Sequence, residues 1–495
     1  MRKTIEKIEK IISVVQSRFQ IPAIAVSLVD KNQIQYMQGF GTLSINQSMP
    51  VNEHTIFALA SISKSTVSAG LAMLVEEERL RWSDPVKNYL PDFSLYDPFV
   101  NREIQIKDLL VHNCGLPPVS GGTIWYGSKL NRKEVIHRLR YLKPSTSFRS
   151  SYAYQNICYL VAGEVVEAIT GTTWDNFIEE RIFNPLGMNR TTTKLSELNS
   201  LKNFACPHMW FNGKVKEIFY RNHENVGAGA AVNSSIHDWS KYVQMFLNNG
   251  TYHGNTILAP RRIEELWSAQ TCIPINSAPQ ELKRTIPKFN AYAMGWFLRD
   301  YAGQKIISHS GGVDGMRTQM CILPETGKGF LVFTNLEPGF ALSALFYSFL
   351  DILTGDELLD WVSIFEKSQQ EFFDKQVQSL SDRDRNRKSN TKLSVPIENI
   401  CGEYFDPKVG TITVSLNHDK LRLDFEESNC FHADLSHWHH DTFEIQWDDA
   451  YIPKGLLTFK LDKNGMPEQI EMEQPNLLDV DFSELEIYWI SGNDK

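Results

Sequence analysis

Ser61 and Lys64 stand three residues apart, and an apolar period of helical spacing follows over residues 67–75. This pattern predicts a helix that begins near Ser61. A serine there would lie at a helix N-terminus, where backbone N–H groups and the helix dipole favour a developing negative charge. Lys64 would lie one turn further along the same face, and its amine could take the serine proton if burial lowered its pKa. The alternative is an N-cap serine beside a surface lysine.

The S-x-x-K spacing is a weak signal by itself, since roughly two matches are expected by chance in a chain of this composition. A second match does occur, from Ser389 to Lys392. It lies in a polar, charged stretch that is typical of a solvated linker. We therefore interpret the second match as chance and keep Ser61 and Lys64 as the candidate pair.

Tyr154 and Asn156 are separated by one residue. In an extended segment, side chains at this spacing point in the same direction. The Tyr154 phenol could accept the serine proton and pass it to a leaving group, provided that a neighbouring lysine holds the phenol pKa down. Asn156 could orient that lysine and bind a substrate amide. The alternative is an aromatic residue in a core with a turn asparagine beside it.

His309 opens a strand-like stretch that contains Gly311, Gly312 and Gly315. Glycine lets the backbone approach a ligand closely, so this stretch could line a binding site. The alternative is a histidine at the end of a strand, next to a glycine-rich turn.

The residues around Ser61, from Phe57 to Thr66, resemble the nucleophile region of the class C β-lactamase and penicillin-binding-protein-like serine hydrolases. The Tyr-x-Asn motif and the Lys/His-x-Gly motif of that family are matched, in the same order, by residues 154–156 and 309–311. The resemblance covers about residues 5–355. Weaker similarities lie in residues 109–117, 184–188, 227–229 and 294–296.

The resemblance implies that Ser61 is the nucleophile and that Lys64 and Tyr154 share the role of general base. It also implies an oxyanion hole formed by the backbone N–H groups of Ser61 and Gly312, where each donor is worth about 3–4 kcal/mol in studied enzymes. Water would then release the acyl group, assisted by Tyr154 or His309. Neither a metal nor an organic cofactor is required.

The resemblance further implies that substrate lies along the strand of His309 and contacts Ser310, Gly311 and Asn156. His309 would lie at the pocket edge and assist proton transfer or bind a substrate carboxylate. Most true β-lactamases of this type are expected to carry Lys at this position, whereas His is more similar to the DD-peptidase, D-aminopeptidase and esterase branches. Cys114 stands where the family usually has Ser, and we interpret it as a small loop residue and not a nucleophile.

These observations predict a serine hydrolase that forms an acyl-enzyme on Ser61 and cleaves amide bonds of small peptides containing D-amino acids. A carboxylesterase and a weak β-lactamase are the alternative enzymes. A non-catalytic scaffold or binding protein on the same fold is the alternative outside enzymology. The partner is therefore expected to be a small molecule or a short peptide.

The elements that must position these residues predict an α+β fold. An amphipathic helix and two strands, 23–28 and 34–40, precede the candidate site, and strands at 320–323 and 329–334 follow it, so the two ends are expected to pair into one sheet. The resemblance implies a β-lactamase/transpeptidase-like domain over 1–360. A charged linker over 361–395 and a small antiparallel β-barrel over 396–495, which resembles a lipocalin-like domain, are expected to follow.

Composition excludes several other classes. The chain has 495 residues and a formal net charge of −9, which is unfavourable for binding nucleic acid. Its seven scattered cysteines fit neither a disulfide scaffold nor a zinc ribbon. The histidines between positions 432 and 440 lack clean metal-ligand spacing. No export signal or bilayer-spanning run is recognised, so we predict a soluble, cytoplasmic protein. The sequence does not indicate its oligomeric state.

Overall fold

The computed structural model describes residues 2–211, 213–418 and 420–492. The chain divides into two compact units. The first unit contains the residues up to Pro91, Arg102–Gly115 and Thr146–Phe372, and the second contains Asp92–Asn101, Leu116–Ser145 and the residues from Phe373 onward. The predicted domain boundaries, 1–360, 361–395 and 396–495, stay a prediction. Their terminal residues Met1 and 493–495 lie outside the described residues.

The helices differ widely in length, from single turns to a helix of 26 residues. Residues 361–395, predicted as a charged linker, are helical from Trp361 to Asn386. In chain order the α-helices are α1 (Arg2–Phe19), α2 (Lys64–Glu76), α3 (Pro98–Glu103), α4 (Gly122–Trp125), α5 (Arg132–Arg138), α6 (Ile157–Thr170), α7 (Trp174–Ile178), α8 (Leu195–Leu201), α9 (Ile236–Leu247), α10 (Pro260–Leu266), α11 (Phe340–Thr354) and α12 (Trp361–Asn386).

The strands of the first unit form one large sheet and several short hairpins or pairs. In chain order they are β1 (Ala23–Asp30), β2 (Ile34–Ser44), β3 (Gln47–Pro50), β4 (Ile56–Ala58), β5 (His208–Phe211), β6 (Lys214–Glu217), β7 (Asn233–Ser235), β8 (Thr251–Tyr252), β9 (Asn255–Thr256), β10 (Thr271–Cys272), β11 (Asn290–Tyr292), β12 (Phe297–Tyr301), β13 (Gln304–Val313), β14 (Met316–Leu323) and β15 (Lys328–Thr334).

The large sheet joins the two ends of the first unit. Within the described residues it has nine antiparallel strands in the order β10-β11-β12-β13-β14-β15-β1-β2-β3. Strand β1 pairs with β15 through Ile24 opposite Thr334, and with β2 through Ala23 opposite Gly41. The prediction that strands from both ends pair into one sheet is therefore confirmed.

Strand β1 shows how helices cover both faces of this sheet. Ile24, Val26 and Leu28 belong to the hydrophobic cluster that also contains residues of α1 and α11. Ser27 points the other way, and its hydroxyl accepts a hydrogen bond from Ser240 Oγ of α9 at 2.7 Å. A strand buried on both faces has a nearly continuous apolar run. The predicted α+β class, with helices flanking an antiparallel sheet, is confirmed.

Helix α2 is buried from Lys64 to Leu74 and carries the candidate lysine on its first turn. Its hydroxyl side chains Ser65, Thr66 and Ser68 each donate to a backbone carbonyl three or four residues earlier, at 2.7–3.1 Å. Such bonds satisfy polar groups that burial would otherwise leave unpaired. The helix can therefore lie in the core and still hold a lysine at its N-terminal end.

The strands of the second unit form a closed antiparallel barrel. In chain order they are β16 (Gly402–Asp406), β17 (Gly410–Asn417), β18 (Lys420–Phe425), β19 (His432–His439), β20 (Thr442–Trp447), β21 (Gly455–Leu461), β22 (Pro467–Glu473) and β23 (Ile487–Gly492). Strands β16 and β23 close the barrel, with Tyr404 opposite Trp489. Tyr404 is buried whereas Glu403 and Phe405 are exposed, which is the alternation of a barrel strand. The predicted C-terminal β-barrel is confirmed.

Candidate active site

Ser61 lies in a short 3-10 helix, Ala60–Ser63, that leads directly into α2. Ala60 has a left-handed φ of 52°, which costs a residue with a Cβ about 1–2 kcal/mol. Ser63 Oγ holds this turn, because it donates to the Ala60 carbonyl at 2.5 Å and accepts from the Val232 N–H at 3.0 Å. Backbone strain of this kind is found where a fold must present a functional side chain.

The Lys64 ammonium group connects the candidate residues. Lys64 is fully buried, and Nζ lies 3.0 Å from Ser61 Oγ, 2.6 Å from Asn156 Oδ1 and 2.8 Å from the Gly229 carbonyl oxygen. The three contacts come from residues up to 165 positions away in the chain. The S-x-x-K pair and the asparagine of the second motif are thus brought together at a single atom.

The chemistry of these three partners constrains the protons on Nζ. The Gly229 carbonyl oxygen and the Asn156 amide oxygen can only accept hydrogen bonds, so Nζ donates one N–H to each. In the charged form, the third N–H points at Ser61 Oγ. In the neutral amine, the third position is a lone pair that faces the serine hydroxyl. The same geometry can therefore hold the lysine before and after it takes a proton from Ser61.

Tyr154 and Asn156 lie on the segment that leads into α6. Asn156 immediately precedes the helix and is 3% exposed. The Tyr154 ring centroid lies 4.8 Å from Lys64 Nζ, and the Tyr159 ring centroid lies 5.4 Å from it. A cation this close to an aromatic face is attracted by the ring quadrupole. The two residues of the Tyr-x-Asn motif therefore both contact the lysine.

His309 lies on β13, and both of its ring nitrogens have partners. Nδ1 is 2.6 Å from the Ser310 carbonyl oxygen, so Nδ1 carries the proton and donates it. Nε2 is 2.8 Å from Tyr292 Oη and accepts the phenolic hydrogen. Burial, together with the charge of Lys64, lowers the pKa of His309 from 6.5 to about 3. The imidazole is therefore neutral at physiological pH.

The strand beyond His309 runs against the chain that precedes Ser61. A Cβ on Gly311 would lie 2.0 Å from the Leu59 carbonyl oxygen, so only glycine fits there. Thr318 Oγ1 of the neighbouring strand donates to the same carbonyl at 3.0 Å. Ser310 is exposed and Gly312 is half-buried. Ser310 and Gly312 are thus accessible beside the serine turn, and their predicted roles stay predictions.

Four residues of the site were not assigned a catalytic or binding role from the sequence. Tyr292 and Tyr159 are single tyrosines whose type indicates nothing specific, and Gly229 contributes only its carbonyl oxygen. His112 is a single histidine outside the three motifs. Weak signals existed for two of the four, since Gly229 lies within the family-like segment 227–229 and His112 within 109–117.

The described residues contain neither a metal site nor a helix that could span a bilayer. Among those that the structure describes, no group of three or more His, Cys, Asp and Glu side chains could hold a metal ion. His432 instead contacts Asp424 Oδ1 at 2.9 Å, and His437 donates to the His440 carbonyl at 2.8 Å. In residues 2–211, 213–418 and 420–492, no helix is long and apolar enough to cross a bilayer.

Two family models match the chain. One, described as Beta-lactamase, matches residues 8–347 and includes every candidate site residue. The other, described as a Domain of unknown function (DUF3471), matches residues 386–488 and includes most of the barrel.

A curated relative is the Unguisins hydrolase ungD' of Aspergillus campestris (strain IBT 28561). It is 26% identical over 439 residues, which are 84% of this chain and 77% of the relative. Other curated relatives are matched over 64% or 63% of their own length. The whole of those proteins is thus not represented by this chain.

Solved structures share the fold. The octameric penicillin-binding protein homologue from Pyrococcus abyssi has a TM-score of 0.65 at 19% identity, and the match covers 98% of this chain and 100% of that one. The D-amino acid amidase from Ochrobactrum anthropi SV3 has a TM-score of 0.56 at 20% identity, over 73% and 99% of the two chains. Because the Beta-lactamase model matches more than half of its residues, the chain belongs to the beta-lactamase family of serine hydrolases.

Proposed function

We propose that the protein forms an acyl-enzyme on Ser61 and hydrolyses amide bonds in small substrates that contain D-amino acids. The observation that carries the proposal is the 3.0 Å contact between Lys64 Nζ and Ser61 Oγ. The Asn156 and Gly229 carbonyl oxygens accept two N–H groups of Nζ, so its remaining N–H or lone pair faces the serine hydroxyl. The name of one similar protein, an Unguisins hydrolase, supports hydrolysis, and the name of another, a D-amino acid amidase, supports the amide and the D-configuration.

Acylation begins with attack of Ser61 Oγ on the substrate carbonyl carbon, while the hydroxyl proton moves to the neutral amine of Lys64. The C–N bond then breaks, and the leaving nitrogen takes a proton from Lys64 or from the Tyr154 phenol. Water then attacks the acyl carbon and gives one proton to Lys64 or Tyr154. The bond between the acyl carbon and Ser61 Oγ breaks, Oγ takes that proton back, and the free acid is released. Lys64 and Tyr154 thus share the role of general base in this scheme, and each is positioned to transfer a proton.

The negative charge of the tetrahedral intermediate needs donors in fixed positions. We assign this role to the backbone N–H groups of Ser61 and Gly312. Two features support the assignment: Ser61 lies in the turn at the start of α2, and the close approach of Gly311 to Leu59 holds the strand of Gly312 beside that turn. Each donor would lower the barrier by about 3–4 kcal/mol.

Neutral His309 favours one group of substrates over another. A family member with lysine at this position would present a second positive charge to a substrate carboxylate. Here the imidazole is uncharged and both its nitrogens are engaged. This supports amides and aminopeptidase-type substrates over β-lactams. Asn156, Ser310 and Gly311 are proposed to bind the substrate backbone.

The alternative enzymes, a carboxylesterase and a weak β-lactamase, would form the same acyl-enzyme. A carboxylesterase would differ only in the leaving group, and the neutral His309 is compatible with it. A weak β-lactamase is less well supported, because the uncharged His309 presents no second positive charge to a substrate carboxylate. A non-catalytic scaffold would not need the buried lysine, because burying a charge without function is costly.

Further properties of the whole protein also remain proposals. We propose that the protein is cytoplasmic. We also propose that the barrel, which resembles a lipocalin-like domain, helps to shape the enzyme or mediates its assembly. The Pyrococcus homologue is described as octameric; multi-angle light scattering would establish the oligomeric state of this chain.

Intact-mass analysis tests the proposed function. The wild type and Ser61→Ala are incubated with a fluorophosphonate and, separately, with a penicillin. We expect a fluorophosphonate adduct on the wild type only. Turnover of D- and L-amino acid amides by the wild type then tests the substrate class. Equal rates for the two isomers would contradict the proposed preference for D-amino acids. A folded wild type that forms no adduct and turns over no amide would favour the scaffold.

A further inference from the structure

His112 is buried at the centre of the aromatic groups that surround the lysine. It is 0% exposed, and its ring centroid lies 4.3 Å from that of Tyr154 and 4.3 Å from that of Tyr292. Tyr159 lies 5.4 Å away by the same measure. A side chain in this place is fixed by packing on several sides, so it can hold the residues bonded to it in fixed positions.

Two hydrogen bonds join His112 to the Tyr-x-Asn segment. The backbone N–H of Gln155 donates to His112 Nδ1 at 3.0 Å. The backbone N–H of Ala153 donates to the His112 carbonyl oxygen at 2.8 Å. Gln155 is the residue between Tyr154 and Asn156. The imidazole therefore holds the peptide that separates the two side chains in contact with Lys64.

The Gln155 bond defines the state of the imidazole. An atom that accepts a backbone N–H must present a lone pair, so Nδ1 is unprotonated and the proton resides on Nε2. Burial, together with the charge of Lys64, lowers the pKa of His112 well below 6.5. The histidine is thus neutral, and this leaves its Nδ1 available as an acceptor for Gln155.

The backbone of His112 is also adapted to this role. Its φ is 55°, in the left-handed region. Asparagine tolerates that region better than most residues with a Cβ, and its Oδ1 occupies nearly the same place as the Nδ1 of a histidine. Glycine tolerates the region as well but provides no acceptor. The chain therefore offers a pair of substitutions that separates the acceptor from the backbone conformation.

We propose that His112 is a positioning residue, which keeps Tyr154 and Asn156 directed at Lys64 by accepting the Gln155 N–H. The proposal rests on the proposed function, because the positioned groups are those that activate Ser61. Loss of the acceptor would let the segment shift, and a displacement of about 1 Å can cost about 100-fold in rate. Substrate binding along β13 would be affected much less.

The test compares the rate of fluorophosphonate labelling of Ser61 in the wild type, His112→Asn and His112→Gly. We expect His112→Gly to lower the labelling rate about 10- to 100-fold and His112→Asn to recover most of it. For an amide that the wild type hydrolyses, kcat should fall in His112→Gly, and KM should rise by a smaller factor because Asn156 also binds substrate. A purely structural role would not be rescued by asparagine in this way.

His208→Ala is the matched control. His208 is equally buried, and its Nε2 accepts the Ile45 N–H at 3.3 Å. We expect it to lower the melting temperature without slowing the labelling of folded protein. Labelling of His112→Gly at the wild-type rate, or equal loss in the folded asparagine and glycine variants, would overturn the positioning role. A wild type that is not labelled at all would instead refute the proposed function.

Discussion

Tyr292 Oη donates a hydrogen bond of 2.8 Å to His309 Nε2 inside a fully buried part of the site. Burial raises the pKa of Tyr292 well above its ordinary value of 10, so the phenol keeps its hydrogen throughout the physiological range. The same bond leaves Nε2 without a proton of its own. The Ser310 carbonyl oxygen, which can only accept, places the His309 proton on Nδ1, and Tyr292 supplies the donor for the remaining lone pair on Nε2.

Tyr292→Phe removes this donor and leaves a buried imidazole nitrogen unpaired. An unsatisfied buried acceptor costs about 1–3 kcal/mol, and we expect the free energy of unfolding to fall by that amount. Urea unfolding followed by circular dichroism measures it. Tyr36→Phe, which loses a hydrogen bond to Glu9 at a half-buried position, serves as the control. Equal losses of unfolding free energy in the two variants would mean that the buried hydrogen bond stabilises the protein no more than the half-buried one.

Lys64→Met tests the central lysine with a side chain of similar length. We expect the labelling of Ser61 by a fluorophosphonate to slow by about 10²–10⁴-fold, the usual contribution of a positioned base. Stability should also fall, because the buried Asn156 amide oxygen and the Gly229 carbonyl oxygen lose their donor. The labelling rate is therefore compared on folded protein, with the melting temperature of each variant recorded.

The second S-x-x-K match provides a control within the same chain. Ser389 and Lys392 have the same spacing as the candidate pair, and both are exposed. Lys392→Met should change neither the labelling rate nor the melting temperature. If Lys64→Met labelled as fast as Lys392→Met, the lysine would not be the base that activates Ser61.

The meeting of Ser61, Lys64, Tyr154 and Asn156 could be predicted because their types and order match a family pattern. Tyr292 and Gly229 could not be predicted in this way. Their contacts with the site are long-range, and neither a lone tyrosine in a short strand nor a backbone carbonyl has a distinctive sequence signal.

The fold shows the same division between what a local pattern predicts and what only the tertiary structure reveals. Strands β17, β18 and β20 alternate regularly, so they could be predicted. In β19 the register shifts between His437 and His439, so a bulge interrupts the alternation and the pattern of a strand is lost. The grouping of residues 116–145 with the barrel unit likewise has no local signal.

The low pKa of His309 makes stability depend on pH. Its folded-state pKa is about 3, below the ordinary value of 6.5, so the unfolded chain binds the proton more tightly. Stability is thus fully present above pH 6.5 and falls as the pH decreases toward 3. For this group alone, the loss at about pH 5 is about 2 kcal/mol. Urea unfolding at a series of pH values measures the slope.

His309→Gln removes the titrating group and should flatten the slope of stability against pH in this window. His112 contributes to the remaining slope, because its pKa is also lowered by burial and by Lys64. Parallel curves for the wild type and His309→Gln would show that folding does not lower the pKa of His309, so that the imidazole is charged in the folded protein below about pH 6.5. That result would reopen a cationic role for His309 in binding a substrate carboxylate.

The cysteines provide a test of burial around the site. Cys114 and Cys158 are buried with their Sγ atoms 3.8 Å apart, and the Cys158 pKa is raised well above its ordinary value by the contact with Cys114 and by burial. Only the thiolate reacts with maleimides at a useful rate, so both thiols should be inert in the native protein.

Cys272, in contrast, is exposed and should be modified first. We expect native N-ethylmaleimide treatment near neutral pH to modify Cys272 rapidly and Cys114 and Cys158 only in urea, as peptide mapping by mass spectrometry would show. Activity should survive native treatment, because Cys272 does not contact Lys64 or Ser61. Rapid native modification of Cys114 with loss of activity would mean that the thiol is open to solvent, and its assignment as a buried loop residue would be wrong.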